Sequence, residues 1–118
     1  MSLTSYTFPI SKILNRYCDF ILVGDSVGTV YYGMESTKKV TLDMMIAHSK
    51  SVKLGAKKNL VLVDMPYKTY QNKFDAYINA NKISSVMRII FLSYFIVSAT
   101  RFTLKNIYLN MISYCFKG

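Results

Sequence analysis

Short apolar runs alternate with longer stretches of helical spacing through the first part of this chain. Residues 20–24, FILVG, and 59–63, NLVLV, are brief, apolar almost throughout and rich in strand formers. Such runs predict strands buried on both faces, the pattern of parallel sheets. Between them, VTLDMMIAHSKSVKLGA places Leu42, Met45, Ile46, Ser49, Val52 and Lys53 at helical spacing. Thr41 is suited to cap that helix, Asp43 sits in its first turn where the dipole favours an anion, and Gly55 marks its C-terminal stop. Residues 73–83, KFDAYINANKI, predict a further helix with Phe74, Tyr77 and Ile78 on its apolar face. Residues 8–17 predict an earlier helix with Pro9 in its first turn, and residues 2–5 a short strand. The order β-α-β-α-β-α argues for an α/β protein with a parallel sheet. Residues 25–41 make a long βα connection, and long connections at that point commonly carry function.

Composition divides the chain in two. It has 118 residues with 15 Lys+Arg, 6 Asp+Glu and a net charge of +9. Residues 1–83 hold 11 basic and all 6 acidic groups, a net +5, whereas residues 84–118 hold four basic groups and no acid, a net +4. The break near Ile83–Ser84 separates a folded-looking segment, 1–83, from an apolar basic tail, 84–118. Apolar residues at 52% exclude wholesale disorder. The two cysteines, Cys18 and Cys115, are too few for a disulfide framework, and no long apolar stretch opens the chain as a secretory signal would. Free thiols and a cytoplasmic location are expected.

Two carboxylates carry the candidate chemistry. Asp25 directly follows the first apolar run and Asp64 the second. Ligands of parallel sheets bind beyond the carboxyl ends of the strands. On neighbouring strands, about 5 Å apart, the two acids would share one end of the sheet. Like charges that close resist joint ionisation unless a cation lies between them, and a hard divalent ion such as magnesium needs few protein ligands. Capping of helices or turns by two unrelated carboxylates is the other reading open to this pair.

Residues 20–33, FILVGDSVGTVYYG, followed by STKKVTLDMMIAHSKSVKLGA and VLVDMPYKTYQ, closely resemble the ketopantoate hydroxymethyltransferase family. The opening TSYTFP resembles the family's T-A-Y-D-Y-P element, and the likeness runs in register from about Leu3 to Ile83. At Thr7 and Lys39 the family usually has Asp and Pro. The resemblance implies the N-terminal portion of a (β/α)8 barrel, about three βα units, in a family of cytoplasmic homo-oligomers. It implies transfer of a hydroxymethyl group from 5,10-methylenetetrahydrofolate to 3-methyl-2-oxobutanoate, giving 2-dehydropantoate for pantothenate biosynthesis. Magnesium would bind the carboxylate and keto oxygens of the 2-oxo acid and stabilise the enolate formed when a base removes the C3 proton. Asp25 and Asp64 match the metal carboxylates and also touch the oxo acid, and Ser26 matches the residue that hydrogen-bonds its carboxylate. His48 matches a family position but is expected to pack or support rather than catalyse. Gly24, Gly28 and Gly33 are expected to serve tight turns, because the dinucleotide-binding spacing is absent. Tyr31, Tyr32, Tyr67 and Tyr70 are expected to pack, and the pairs Lys38-Lys39 and Lys57-Lys58 to be solvated.

The likeness stops in the tail. The family continues with a Gly-rich turn, a strand bearing K-x-E-G-G, whose Lys contacts substrate and whose Glu supports the metal, and a later strand bearing the general-base Glu. SSVMRIIFLSYFIVSATRFTLKNIYLNMISYCFKG matches none of these, and no Glu follows Glu35. No catalytic residue is therefore assigned. A whole barrel typically takes ~250 residues, so the expectation is an incomplete barrel that is inactive alone, or one half of a split enzyme. Ile, Phe, Tyr, Asn, Lys and Met supply 18 of the 35 tail residues, the bias that a frame shift in an AT-rich gene produces. A non-enzymatic, membrane-associated peptide through residues 86–100 is the rival reading. The 12 residues between Arg88 and Arg101 fall short of the ~20 that a spanning helix needs, so membrane contact is not expected. Nor is a nucleic-acid partner, because the basic residues are dispersed and no recognition motif frames them.

Overall fold

The apolar runs fold as neighbouring parallel strands. A computed structural model describes residues 1–87 and 90–91. In chain order it contains β1 (Ser2–Thr4), α1 (Phe8–Leu14), β2 (Phe20–Val23), α2 (Val27–Val30), α3 (Leu42–Gly55), β3 (Leu60–Val63), α4 (Lys73–Met87) and β4 (Ile90–Phe91), with a 3-10 turn at Thr37–Lys39. The sheet order β1-β2-β3-β4 follows the sequence, and every pairing is parallel. Leu3 pairs with Ile21, Val23 with Val63, and Val63 with Phe91. Parallel crossovers are right-handed, so a sheet laid down in sequence order collects its helices on one side. Accordingly α3 packs against both α1 and α4. This is the α/β arrangement expected of the first units of a barrel.

Strand alternation decides which side chains those helices cover. Ile21, Val23, Val61 and Val63 are almost wholly buried in one cluster with Met45, Val52, Ala56 and Ile83. The intervening side chains fare differently: Phe20 is 40% exposed, and Leu22, Leu60 and Leu62 are half-buried. The expectation of strands buried on both faces is thus met on one face only. Apolar runs record the demand for cover on both sides, and the described residues supply helices to one.

Local signals explain the helix ends. Thr41 accepts a hydrogen bond from the Met44 amide at 3.2 Å, with Asp43 in the first turn, as expected. Helix α1 ends at Leu14 rather than residue 17, because the amides of Tyr17 and Cys18 turn back onto the Leu14 carbonyl to bring the chain into β2. Helix α4 runs past the composition break to Met87, and its covered face is Ala76, Ala80 and Ile83. Phe74 (72% exposed) and Tyr77 (56%) face out, contrary to the expected packing face, whereas Ile78 is half-buried. The small Ala76 and Ala80 suit the close approach of α4 to α3. The connection at 25–41 is not irregular throughout, since it contains α2 and the 3-10 turn. Of the tail, residues 88–89 and 92–118 lie outside the described residues, and the frame-shift and membrane readings of 84–118 fall mostly there. Among the described residues no helix is long and apolar enough to cross a membrane.

Gly55 does end α3, but for a packing reason. A methyl group there would lie 2.1 Å from Ser11 Oγ, 2.7 Å from the Lys12 amide nitrogen and 2.7 Å from the Phe8 carbonyl oxygen. The glycine lets α1 approach α3, and the Phe8 amide then reaches Ser51 Oγ at 2.9 Å. Gly55→Ala should therefore lose about 1–3 kcal/mol to overpacking, more than the ~1 kcal/mol that alanine gains in helix propensity. Urea denaturation checks this: the midpoint should fall, and a higher midpoint would contradict the close helix approach.

Candidate functional site

Three strand ends meet at one edge of the sheet. Tyr6 lies two residues beyond β1, Asp25 and Ser26 follow β2, and Asp64 follows β3. The in-register pairing of β2 and β3 sets the first contact. The Asp64 amide continues the ladder to the Val23 carbonyl at 3.0 Å, and the Asp25 amide donates to Asp64 Oδ2 at 3.3 Å. Asp25, Ser26 and Asp64, the three residues singled out in the sequence, are thus brought together, all half-buried. Gly24 keeps the spot open. A methyl group there would stand 3.0 Å from Ser26 Oγ and 3.3 Å from Asp64 Oδ2, so its role is space between functional side chains rather than a turn.

The third strand end adds a group that the sequence reading missed. The Tyr6 phenol lies 2.5 Å from Ser26 Oγ. TSYTFP carries the family likeness as a string, with nothing in it that singles out Tyr6. The signal was its position just past a strand, the same position in its βα unit that drew attention to Asp25 and Asp64. The Tyr6 carbonyl in turn accepts from His48 Nδ1 at 2.7 Å, and His48 Nε2 lies 2.8 Å from the Tyr32 hydroxyl. An Nδ1 proton fixed on a carbonyl leaves Nε2 of a neutral ring as an acceptor for the Tyr32 hydroxyl. His48 is 9% exposed and supports Tyr6 from behind, as the sequence suggested.

The other singled-out residues are spread more widely. Tyr31 and Tyr32 pack edge-on against each other and against His48, with ring centroids 5.1–5.6 Å apart. Tyr70 packs against the core. Tyr67 is half-exposed and departs from the packing expectation, with the Lys38 and Lys68 ammoniums 5.4 and 5.7 Å from its ring centroid. Lys38, Lys39, Lys57 and Lys58 are all exposed, as expected. Gly28 lies inside α2, where a methyl group would come within 2.4 Å of Val40 Cγ2, so it too serves close packing. Gly33, at φ 66°, is the turn glycine.

Electrostatics favour a cation at this edge. Burial pushes the Asp64 carboxyl above the ordinary carboxylate range; the Asp25 amide opposes this, and the negative charge of Asp25 reinforces it. Among the described residues no cluster of three His, Cys, Asp or Glu forms a closed metal cage. Magnesium does not need one, since it is commonly held by one or two carboxylates plus water and substrate oxygens. Two half-buried carboxylates, one destabilised in its charged form, fit such an open site.

Comparison with known proteins gives the chain a family. The family described as ketopantoate hydroxymethyltransferase matches residues 1–90. A 3-methyl-2-oxobutanoate hydroxymethyltransferase of Pelagibacter ubique is 59% identical over 85 residues, covering 72% of this chain and 33% of that protein. One from Anaplasma marginale (strain St. Maries) is 59% identical over 83 residues, covering 70% and 30%, and one from Rhizobium rhizogenes is 55% identical over 84, covering 70% and 31%. The chain spans about a third of the length of these relatives.

The strained carboxylate has a measurable cost. A carboxyl whose folded-state pKa lies above its unfolded value near 3.9 penalises the fold at all higher pH, and the penalty is relieved as pH falls through the folded pKa. Asp64→Asn removes the charge and keeps an oxygen for the Asp25 amide. The variant should melt at a higher temperature than the parent at about pH 7, with the gap closing toward about pH 4. Thermal melts of both proteins at the two pH values check this, and a lower-melting variant at neutral pH would contradict it.

Proposed function

The chain belongs to the ketopantoate hydroxymethyltransferase family, and from that premise we propose that its strand ends form the metal and 2-oxo acid portion of a 3-methyl-2-oxobutanoate hydroxymethyltransferase site. The observation that carries this reading is the convergence of Asp25 and Asp64 through the 3.3 Å amide–carboxylate contact. Asp25 and Asp64 would hold magnesium. When bound, that ion supplies Lewis-acid polarisation of the keto oxygen and offsets the charge of the acid.

The remaining roles fall to the chain's own groups. Ser26 Oγ donates to the substrate carboxylate. Gly24 leaves room for the acid beside Asp64 and Ser26. The whole reaction would move a hydroxymethyl group from 5,10-methylenetetrahydrofolate to C3 of the oxo acid and yield 2-dehydropantoate. That step needs a base for the C3 proton. Asp25 and Asp64 are committed to the cation, and no Glu follows Glu35. These 118 residues therefore bind the oxo acid without turning it over. The half-covered face of Phe20, Leu22, Leu60 and Leu62 is where the further strands of a whole barrel would pack.

Titration calorimetry with 3-methyl-2-oxobutanoate tests the binding role. Affinity should depend on magnesium and fall at least tenfold in Asp25→Asn or Asp64→Asn, in line with the ~10–100-fold losses typical when even the surroundings of a metal site are altered. Equal affinity in EDTA would contradict it. In a turnover assay with 5,10-methylenetetrahydrofolate the chain alone should form no 2-dehydropantoate, and product formation would overturn the assignment of a missing base.

A further inference from the structure

The closest polar side-chain contact at the strand ends lies between two hydroxyls, Tyr6 and Ser26, 2.5 Å apart. Each has one proton, so one donates and the other accepts. An ionised carboxylate only accepts. If Ser26 spent its proton on Tyr6, it would offer a substrate carboxylate only lone pairs. If Tyr6 donates, the Ser26 proton is free to point at the acid. A phenol O–H is a stronger acid than an aliphatic hydroxyl and so the better donor of the pair. Hydrogen bonds in series also strengthen one another, by roughly 10–30% per bond.

Tyr6 is held for this task from both sides. Just before it, the Ser5 amide bonds the Leu22 carbonyl at 3.0 Å, and its own carbonyl is bonded to His48 Nδ1 at 2.7 Å. The ring is half-buried against the core. Among the described residues the phenol is the hydrogen-bond partner of the Ser26 side chain.

We propose that Tyr6 is a positioning residue of the oxo-acid site: its phenol donates to Ser26 Oγ and so turns the Ser26 proton toward a substrate carboxylate. The inference rests on the function proposed above. It makes recognition of the acid a relay, Tyr6 O–H to Ser26 O–H to carboxylate, and commits β1 to the site alongside β2 and β3.

Titration of the full chain with 3-methyl-2-oxobutanoate and with its methyl ester, both in magnesium, tests it. Tyr6→Phe keeps the ring and should weaken the acid about tenfold, the scale of a hydrogen bond to a charged group, while leaving the ester within twofold. Ser26→Ala should weaken the acid at least as much, and the double variant should match Ser26→Ala. Unchanged acid affinity in Tyr6→Phe, with the parent binding normally, overturns the relay and leaves the site reading intact. Equal losses for acid and ester overturn it in favour of a merely structural tyrosine. A parent chain that binds neither ligand overturns both the site reading and the relay. The unsubstituted chain gives an independent reading should the variant misfold. A slowly exchanging Tyr6 hydroxyl proton with a nuclear Overhauser contact to the Ser26 β-protons should appear on adding the acid, and its absence overturns the proposal.

Discussion

The in-register parallel pairing of β2 with β3 is the constraint on which the rest depends. Val23 lies opposite Val63, so the residues that leave both strands leave them side by side. The ladder bond from the Asp64 amide to the Val23 carbonyl sets one carboxylate at the edge, and the Asp25 amide closes on it. The same register puts Ile21, Val23, Val61 and Val63 on the face covered by α3 and α4. A slip of one residue would move those side chains to the open face and separate the two acids at once. Core and site are therefore specified by one set of backbone hydrogen bonds.

The proposed site costs the fold some stability. Asp64 is kept half-buried beside a second carboxylate, where its charged form is disfavoured. Gly24 gives up side-chain packing so that Ser26 Oγ and Asp64 Oδ2 have space. Tyr6 and His48 spend polar groups on holding one another rather than on solvent. The buried carboxylate and the vacant side-chain position at Gly24 make sense if a cation and an anionic ligand complete the edge.

The strands, their order and the helix α3 were legible because each rests on a local signal: uniform apolar runs, the Thr41 cap and the Asp43 first turn. Asp25, Ser26 and Asp64 were legible because a residue just past a parallel strand has few places to go, and because their motifs are specific to one family. The packing face of α4 was not legible. A hydrophobic count favours Phe74 and Tyr77, whereas Ala76 and Ala80 suit the close approach to α3. Gly55 looked like a stop signal because spacing alone cannot show that Ser11 and Phe8 press against it from a distant helix. Tyr6 escaped for a related reason: its importance lies in a contact across 20 residues, which no local pattern reports.

The sheet is covered by helices on one face and half-buried on the other. The edge formed by Asp25, Ser26 and Asp64 is the testable heart of the proposed site. Paramagnetic line broadening with manganese in place of magnesium, followed residue by residue in an amide spectrum, addresses it most directly. At low metal ratios the amides of Gly24, Asp25, Ser26 and Asp64 should broaden first, with Tyr6 close behind. Broadening that centres instead on Glu35, Asp43 or Asp75, or that spreads evenly over the surface, would contradict the account.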